Sequence, residues 1–291
     1  MGNARKVKSI IKSASVIEGA GVRLKRAFGF RETPLLDPFL LLDDFHSGRP
    51  EDYLAGFPWH PHRGIETITY VLEGEVEHWD SMGNRGVIAA GDLQWMTAGS
   101  GIIHEEMPRG NSGGVLRGFQ LWANLPASKK IMEPRYRGIS AGQVPVIKSE
   151  DGIIIKLICG ELNGIKGPAE EIIIDPEYLD VTVPENTAFR HHIRAGYTVF
   201  AYTMEGAGYF DAARDKLAGS ETLVLYGDGE EVEIKAEKGD LRFLLVSGRP
   251  LGEPVAWYGP IVMNTQEELE TAFDEYKRGA FIKNISNKPQ A

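Results

Sequence analysis

The sequence predicts an all-β protein that folds as two tandem β-barrels and ends in a short helix. Runs such as Thr67–Leu72 are rich in β-branched and aromatic residues and end at turn signals such as Glu73-Gly74. The 34 glycines and 16 prolines are enough to end many strands in turns. A weak internal repeat predicts a second set of strands that follows the first along the sequence. The repeat leaves a single long β-sandwich open as an alternative.

The first barrel is predicted from alternating or apolar runs on both sides of Thr67–Leu72. Val7–Ile17 alternates weakly, Val22–Phe28 alternates clearly, and Pro38–Leu42 is a short buried run. Val76–Trp79 supplies a further short strand, and Val115–Asn124 completes the barrel.

The repeat sets the predicted domain boundaries. One alignment of the second half of the chain on the first places Arg194 on His62. A second alignment, which places Gly239 on Gly91, places Gly252 on His104. His192 falls on His60 and the turn residues recur, but the other ligand positions are replaced, so the second barrel is predicted to lack metal ligands. The predicted organisation is residues 1–130, a polar linker over 131–142, and residues 143–291.

The last predicted element is a helix that packs on a barrel. Thr265 and Glu268 have capping-box spacing. Apolar residues follow at helical spacing: Leu269, Ala272, Phe273 and Tyr276. The tail from Ser286 is predicted to be mobile.

Composition excludes several classes of function. A net charge of −9 and a pI near 5.4, without a long basic block, disfavour direct contact with nucleic acid. No apolar run approaches the roughly 20 residues that span a bilayer. The single cysteine, Cys159, lies in an apolar run and is predicted to be a buried thiol. One cysteine in 291 residues suits a reducing compartment, so a cytoplasmic location is expected.

Two histidine-containing pairs predict a metal site. His60 and His62 are two residues apart, as are His104 and Glu106. Alternate side chains of a β-strand share a face, so each pair can aim at one point. Three imidazoles and one carboxylate form a mixed N/O set that suits a divalent first-row metal with open positions. The alternative is a hydrogen-bonded polar cluster without metal.

The same segments resemble the two cupin motifs. The first motif matches Gly56, His60, His62, Glu66 and Gly74, and the second matches Gly91 through Gly101 to His104. HPHRGIETITYVLEG, GDLQWMTAGSGIIHEEMP, DPFLLLDDF and GPIVMNT resemble the pirin family more closely. This resemblance covers nearly the whole chain. It implies two cupin-like barrels of the double-stranded β-helix, or jelly-roll, type.

The resemblance also implies a cofactor and an activity. It names His60, His62, His104 and Glu106 as ligands of one iron, expected as Fe(II), although ligand type alone leaves Mn, Ni, Cu and Zn open. Pirin-like proteins are associated with quercetin 2,3-dioxygenase activity, which implies a flavonol-like aromatic substrate and Glu106 as a possible catalytic base. The alternative is a non-enzymatic, iron-dependent regulator that binds a protein partner, either a transcription factor or a metabolic enzyme.

The remaining predicted site residues support the metal or line the pocket. Glu66 is expected to orient a ligand or face the pocket, because the pirin pattern takes its carboxylate ligand from Glu106. Four residues are predicted pocket walls, with core packing as the alternative for each: Phe57, Trp95, Met96 and Trp122. His46 and His78 have no ligand spacing and are expected at the surface or beside the ligands.

Overall fold

The computed structural model describes residues 3–283, and nearly all of its regular structure is β-strand. The all-β prediction is therefore confirmed. The tail from Ser286 lies outside the described residues. No helix within residues 3–283 is long and apolar enough to cross a membrane.

The strands and helices have the following bounds. The first twelve strands are β1 Val7–Lys12, β2 Ala14–Glu18, β3 Val22–Phe28, β4 Phe39–Asp44, β5 Phe57–His62, β6 Ile65–Glu73, β7 Glu75–Asp80, β8 Arg85–Ile88, β9 Leu93–Thr97, β10 Ile102–Arg109, β11 Arg117–Asn124 and β12 Arg135–Ile139. The others are β13 Val146–Lys148, β14 Ile154–Cys159, β15 Glu161–Leu162, β16 Ile165–Lys166, β17 Glu177–Val183, β18 Ala188–His192, β19 Thr198–Tyr209, β20 Leu217–Gly219, β21 Thr222–Tyr226, β22 Glu231–Gly248, β23 Ala256–Tyr258 and β24 Ile261–Met263. The helices are α1 Thr33–Leu36 and α2 Gln266–Lys277.

Contacts divide the described chain into two compact units. The histidine unit, which carries both histidine pairs, comprises residues 16–24, 45–140 and 252–283. The second unit comprises residues 3–15, 25–44 and 141–251. The units interleave in sequence, whereas the predicted domains are contiguous, because β1 pairs with β21 and the C-terminal segment packs in the histidine unit. The exact domain boundaries stay a prediction.

The predicted linker contains a paired strand. Within residues 131–142, β12 runs antiparallel to β9 and places Tyr136 opposite Met96. An edge strand that is only partly buried can carry many polar residues. The polarity of the stretch therefore could not distinguish an edge strand from a linker. Residues 131–140 belong to the histidine unit, and residues 141–142 belong to the second unit.

Two larger sheets and the two-stranded β23–β24 hairpin lie in the histidine unit. One has the order β12-β9-β6-β11 within this unit, and the other has the order β5-β10-β7-β8. Residues 65–71 of β6 are all buried, so both faces of this strand are covered. Helix α2 packs through Leu269 and Ala272 near the β23–β24 hairpin. The predicted capping box of Thr265 and Glu268 is present.

The second unit is built on one long sheet and corrects the second repeat alignment. Its strand order is β1-β21-β19-β22-β17-β14-β13. Strand β22 pairs with β18 so that Glu231 lies opposite His192, as β10 pairs with β5 so that His104 lies opposite His60. Glu231, not Gly252, therefore has the register position of His104. The alignment failed because Gly239 lies inside a strand and not in the turn before one.

The second unit also holds the buried thiol. Cys159 is buried, as predicted, with its Sγ 3.1 Å from the carbonyl oxygen of Ala169. Among residues 3–283, both groups of side chains that could hold a metal ion lie in the histidine unit.

Candidate metal centre

Strand pairing brings the two histidine pairs together. Strands β5 and β10 are antiparallel, with His104 opposite His60 and Ile102 opposite His62. On its other side β10 pairs with β7, which places His78 opposite Glu106 and Asp80 opposite His104. Because side chains alternate along a strand, these residues share one face of the sheet. The face carries His60, His62, His78, Asp80, His104 and Glu106.

Three imidazoles form the tightest part of this cluster. Ring centroids are 4.3 Å apart for His60 and His104, 4.8 Å for His60 and His62, and 4.9 Å for His62 and His104. One nitrogen from each ring lies within 4.8 Å of the others. Both ring nitrogens of His104 are buried, and neither has a hydrogen-bond partner among the described residues. A metal ion would satisfy one of them, so the donor set fits a bound metal.

Backbone carbonyls orient the other two imidazoles. The Nδ1 of His62 donates to the carbonyl oxygen of Pro260 at 3.0 Å, and the Nδ1 of His60 donates to that of Pro58 at 2.8 Å. Because a carbonyl only accepts, each Nδ1 carries the hydrogen and each Nε2 carries a lone pair. The two Nε2 atoms lie 3.1 Å apart and face the centre. This is the tautomer that a metal-binding histidine requires.

Burial keeps these imidazoles neutral. Desolvation lowers the pKa of His62 and of His104 well below the ordinary value, and neighbouring histidines lower it further. Burial also lowers the pKa of His60. Neutral imidazole is the form that binds metal ions, so the cluster is prepared for a metal at neutral pH.

A chain of hydrogen bonds holds Glu106. Its Oε1 accepts from the Thr69 hydroxyl at 3.1 Å, and its Oε2 accepts from the Gln120 amide at 2.9 Å. The amide oxygen of Gln120 in turn accepts from the indole nitrogen of Trp122 at 3.3 Å. The carboxylate can only accept and the indole can only donate, so the amide has one chemically consistent orientation. Glu106 is thereby fixed toward His78 and His104, with which it forms the second metal-capable group.

His78 is not a surface residue. Its side chain is completely buried, and its Nε2 lies 3.2 Å from Asp80 Oδ2. Asp80 also accepts from the backbone of Met82 and from the backbone and side chain of Asn84. Burial acts to raise the pKa of Asp80, but hydrogen bonds from His78 and Asn84 outweigh it and lower the pKa. His46, by contrast, is exposed, as predicted.

Two predicted pocket walls face the cluster. Met96 and Trp122 both lie opposite Thr67, on the face of β6 that also carries Thr69. The Trp122 ring is 5.0 Å from the His62 ring and 6.0 Å from the ring of Trp257. The two tryptophans form an aromatic wall on the His62 side.

The other three predicted pocket residues lie elsewhere. Trp95 and Glu66 are on the opposite face of the β6–β9 pair, because alternation along a strand separates them from Met96 and Thr67. Glu66 accepts a hydrogen bond from Thr97 at 2.7 Å, and burial raises its pKa. Phe57 packs against an apolar cluster that includes Val71. Core packing, the alternative for Phe57 and Trp95, describes both residues.

Comparison with known proteins identifies the family. The family model described as Pirin matches residues 21–123, and the model described as Pirin C-terminal cupin domain matches residues 178–282. A pirin-like protein of Caulobacter vibrioides is 43% identical over 279 residues, which are 95% of this chain and 99% of that protein. The chain belongs to the pirin family. Human pirin is 42% identical over 282 residues, with 95% and 94% coverage of the two chains.

A solved structure extends the likeness to the fold. The crystal structure of quercetin 2,3-dioxygenase from Acinetobacter baumannii superposes with a TM-score of 0.86 at 32% identity. The match covers 96% of this chain and 98% of that one. The two cupin domains predicted from the sequence are therefore confirmed for this pirin-family chain.

A buried lysine and a buried arginine fix the turn that follows His62. The Lys130 ammonium donates to the carbonyl oxygens of Gly64 at 2.9 Å and Val262 at 3.0 Å, and to the side chain of Asn124. Burial lowers the pKa of Lys130 to about 7. Gly64 has φ +76°, and a Cβ there would collide with the Val262 carbonyl. The turn is therefore tied to the segment that provides the acceptor for His62.

The arginine acts on the same segment. Arg63 donates to the carbonyl of Ser100 at 2.7 Å, to Glu275 at 2.7 Å and to the carbonyl of Phe281 at 2.9 Å. Its guanidinium also lies over the Phe281 ring, 4.2 Å from the centroid. Residues 252–283 are thus part of the support of the histidine cluster.

Sequence reasoning gave His78 no role beyond a place at the surface or beside the ligands, and it missed Asp80, Gln120 and Trp257. For His78 and Asp80 a signal was present, because His78-Trp79-Asp80 has the same two-residue spacing as the predicted ligand pairs. Gln120 and Trp257 carry no such signal. Gln120 is recognised only from its register opposite Thr69, and Trp257 only from its place beside Trp122.

Proposed function

We propose that this protein is a mononuclear metal-dependent dioxygenase of the quercetin 2,3-dioxygenase type. In this proposal His60, His62, His104 and Glu106 hold the metal, which we infer to be Fe(II). The observation that carries it is the convergence of three neutral imidazoles, two of them buried (His62 and His104) and one partly buried (His60). Both nitrogens of His104 are without a hydrogen-bond partner among the described residues. An imidazole-rich set with one carboxylate suits Fe(II) and leaves positions open for other ligands.

A bound metal would supply Lewis acidity toward a substrate oxygen and a place to bring O2 beside it. The residues of the chain supply the rest. Glu106 has two carboxylate oxygens, so one can hold the metal while the other accepts the proton of a substrate hydroxyl. Thr69 and Gln120 keep both oxygens in position during this transfer. Gln120 is itself held by Trp122.

The aromatic wall supports a flat substrate. Trp122 and Trp257 offer indole surfaces beside His62, and aromatic rings pack favourably on such surfaces. Quercetin 2,3-dioxygenase from Acinetobacter baumannii shares the fold over nearly the whole chain. A flavonol is a flat, hydroxylated aromatic compound, which fits a site with an aromatic wall and a proton-accepting carboxylate.

The test combines metal analysis with oxygen consumption. Protein purified without oxygen is analysed for metal and then mixed with quercetin in an oxygen electrode. We expect one equivalent of iron, and oxygen uptake that disappears in His104→Ala. His191→Ala is the control, because His191 is also a buried histidine, with its Nε2 2.7 Å from Glu177 Oε2, but lies in the second unit.

Other outcomes assign the site differently. Iron without oxygen uptake would refute the dioxygenase proposal and favour the alternative of an iron-dependent regulator that binds a protein partner. Protein without any bound metal would refute the four proposed ligands themselves.

A further inference from the structure

His78 is a buried side chain for which the four proposed ligands leave no role. One of its nitrogens, Nε2, has Asp80 as its partner, while Nδ1 is buried without a hydrogen-bond partner among the described residues. An unpaired buried polar atom costs free energy unless a ligand or water completes it. A ligand bound at the cluster would supply the missing partner of Nδ1.

The partner of Nε2 determines what Nδ1 can bind. Asp80 already accepts hydrogen bonds from Met82 and Asn84, so it acts as an ionised acceptor. It can only accept from His78, so Nε2 carries the hydrogen. In a neutral imidazole, Nδ1 then carries a lone pair and acts as an acceptor. Its natural partner is a donor, such as a hydroxyl group.

The position of His78 places it beside the metal ligands and outside their tightest group. It lies opposite Glu106 in the β7–β10 pair. Its ring centroid is 5.3 Å from that of His104, farther than any centroid separation within the triad of His60, His62 and His104. Among the described residues, its other ring contact is with Tyr136 at 5.1 Å. The ring is held between β10 and β12.

A second unpaired side chain marks the same side of the unit as polar. Gln94 is completely buried, and neither atom of its amide has a hydrogen-bond partner among the described residues. It lies opposite Thr69, whose hydroxyl donates to Glu106. Its strand, β9, pairs with the strand that carries Tyr136. The cluster thus has an aromatic side, with Trp122 and Trp257, and a polar side.

We propose that His78 contacts the substrate, and that its Nδ1 accepts a hydrogen bond from a hydroxyl group of an aromatic ligand bound at the centre. This inference rests on the proposed function and adds an orientation of the substrate to it. The hydroxylated edge of the aromatic compound faces Glu106 and His78, and its flat face lies toward the tryptophans. It assigns no metal-binding role to His78.

The experiment measures ligand binding separately from turnover. The metal-loaded protein, kept without oxygen, is titrated with 4-nitrocatechol, a coloured aromatic compound with two adjacent hydroxyl groups. We expect His78→Leu to raise its dissociation constant about tenfold, the loss of one buried hydrogen bond, and His78→Gln to recover part of the affinity through its amide oxygen. His191→Leu serves as control and should bind 4-nitrocatechol like the wild type.

Two further measurements make the result decisive. The metal dissociation constant should change by less than about threefold in His78→Leu, since a ligand that binds the metal directly would lose far more. The dimethyl ether of the probe, which has no hydroxyl donor, should bind wild type and His78→Leu with similar affinity.

Several outcomes would overturn the inference. These are equal binding of 4-nitrocatechol by wild type and His78→Leu, no binding by the wild type, or loss of metal in His78→Leu with metal retained in His191→Leu. Quercetin oxidation is scored separately. Wild-type protein that binds 4-nitrocatechol through His78 but does not consume oxygen with quercetin would refute the proposed function and leave this inference standing.

Discussion

Replacing Gln120 with leucine removes the amide that links Glu106 to Trp122. Leucine has a similar volume but cannot donate, so Glu106 Oε2 loses the hydrogen bond that it accepts at 2.9 Å and keeps only the Thr69 hydroxyl on its other oxygen. A hydrogen bond to a charged group contributes about 1.5–3 kcal/mol. Because about 1.4 kcal/mol corresponds to a tenfold change in an equilibrium constant, the metal dissociation constant should rise roughly 10- to 100-fold. Loss of an outer partner of a metal ligand has effects of this size.

Competition with a chromophoric chelator measures this constant in wild type, Gln120→Leu and a control. Gln266→Leu is the matched control, because Gln266 is exposed at the start of α2 and contacts Glu270. Gln120→Glu gives a second reading, since a carboxylate there would repel Glu106 and should weaken metal binding at least as much as leucine does.

Unchanged metal affinity in Gln120→Leu, with the protein folded, would refute the reasoning. It would mean that Glu106 reaches its position without the amide, or that Glu106 is not a metal ligand. Equal losses in Gln120→Leu and Gln266→Leu would show a general effect of the substitution.

Three further predictions concern stability. Lys130→Met should lower the free energy of unfolding in urea by about 3 kcal/mol, because three buried acceptors lose their donor. Lys129→Met, at an exposed position, should change it by less than about 0.5 kcal/mol. Equal effects of the two substitutions would contradict this prediction. The deficit of Lys130→Met should widen from pH 7 to pH 9, because a folded pKa of about 7 lies below the unfolded value. Over this range the folded lysine releases its proton while the unfolded chain keeps it, so the stability of the wild type rises with pH. Metal-free protein should melt at a lower temperature at pH 5.5 than at pH 8. His62 and His104 have lowered pKa values in the folded protein, so below about pH 6.5 the unfolded chain binds protons at these residues that the folded protein does not, and the unfolded chain is favoured. A constant melting temperature would refute this prediction.

The cluster of histidines and Glu106 was predictable because it depends on a local rule. Two residues separated by one position share a face of a strand, and this rule placed His60 with His62 and His104 with Glu106. The same rule could have found His78 and Asp80. It also forbids Trp95 and Met96, which are consecutive in one strand, from facing the same pocket, and the structure separates them.

Features that depend on long-range pairing could not be predicted. The place of Gln120 beside Glu106 requires the register of β11 on β6, which no local pattern specifies. The repeat alignment failed for the same kind of reason, because glycine marks turns and also occurs inside long strands such as β22. The interleaving of the two units depends on which distant strands pair, such as β1 with β21.

The hydrogen bond between His62 and Pro260 has a consequence for biosynthesis. The two residues are 198 positions apart in the chain. During translation His62 is made early, and its carbonyl partner is made only after the whole second unit has been synthesised. Val262, which accepts from Lys130, is also synthesised later than its donor, and so are Glu275 and Phe281, which accept from Arg63. A nascent chain therefore carries all four proposed ligands long before it can hold them in place, so the oriented site is a late product of synthesis.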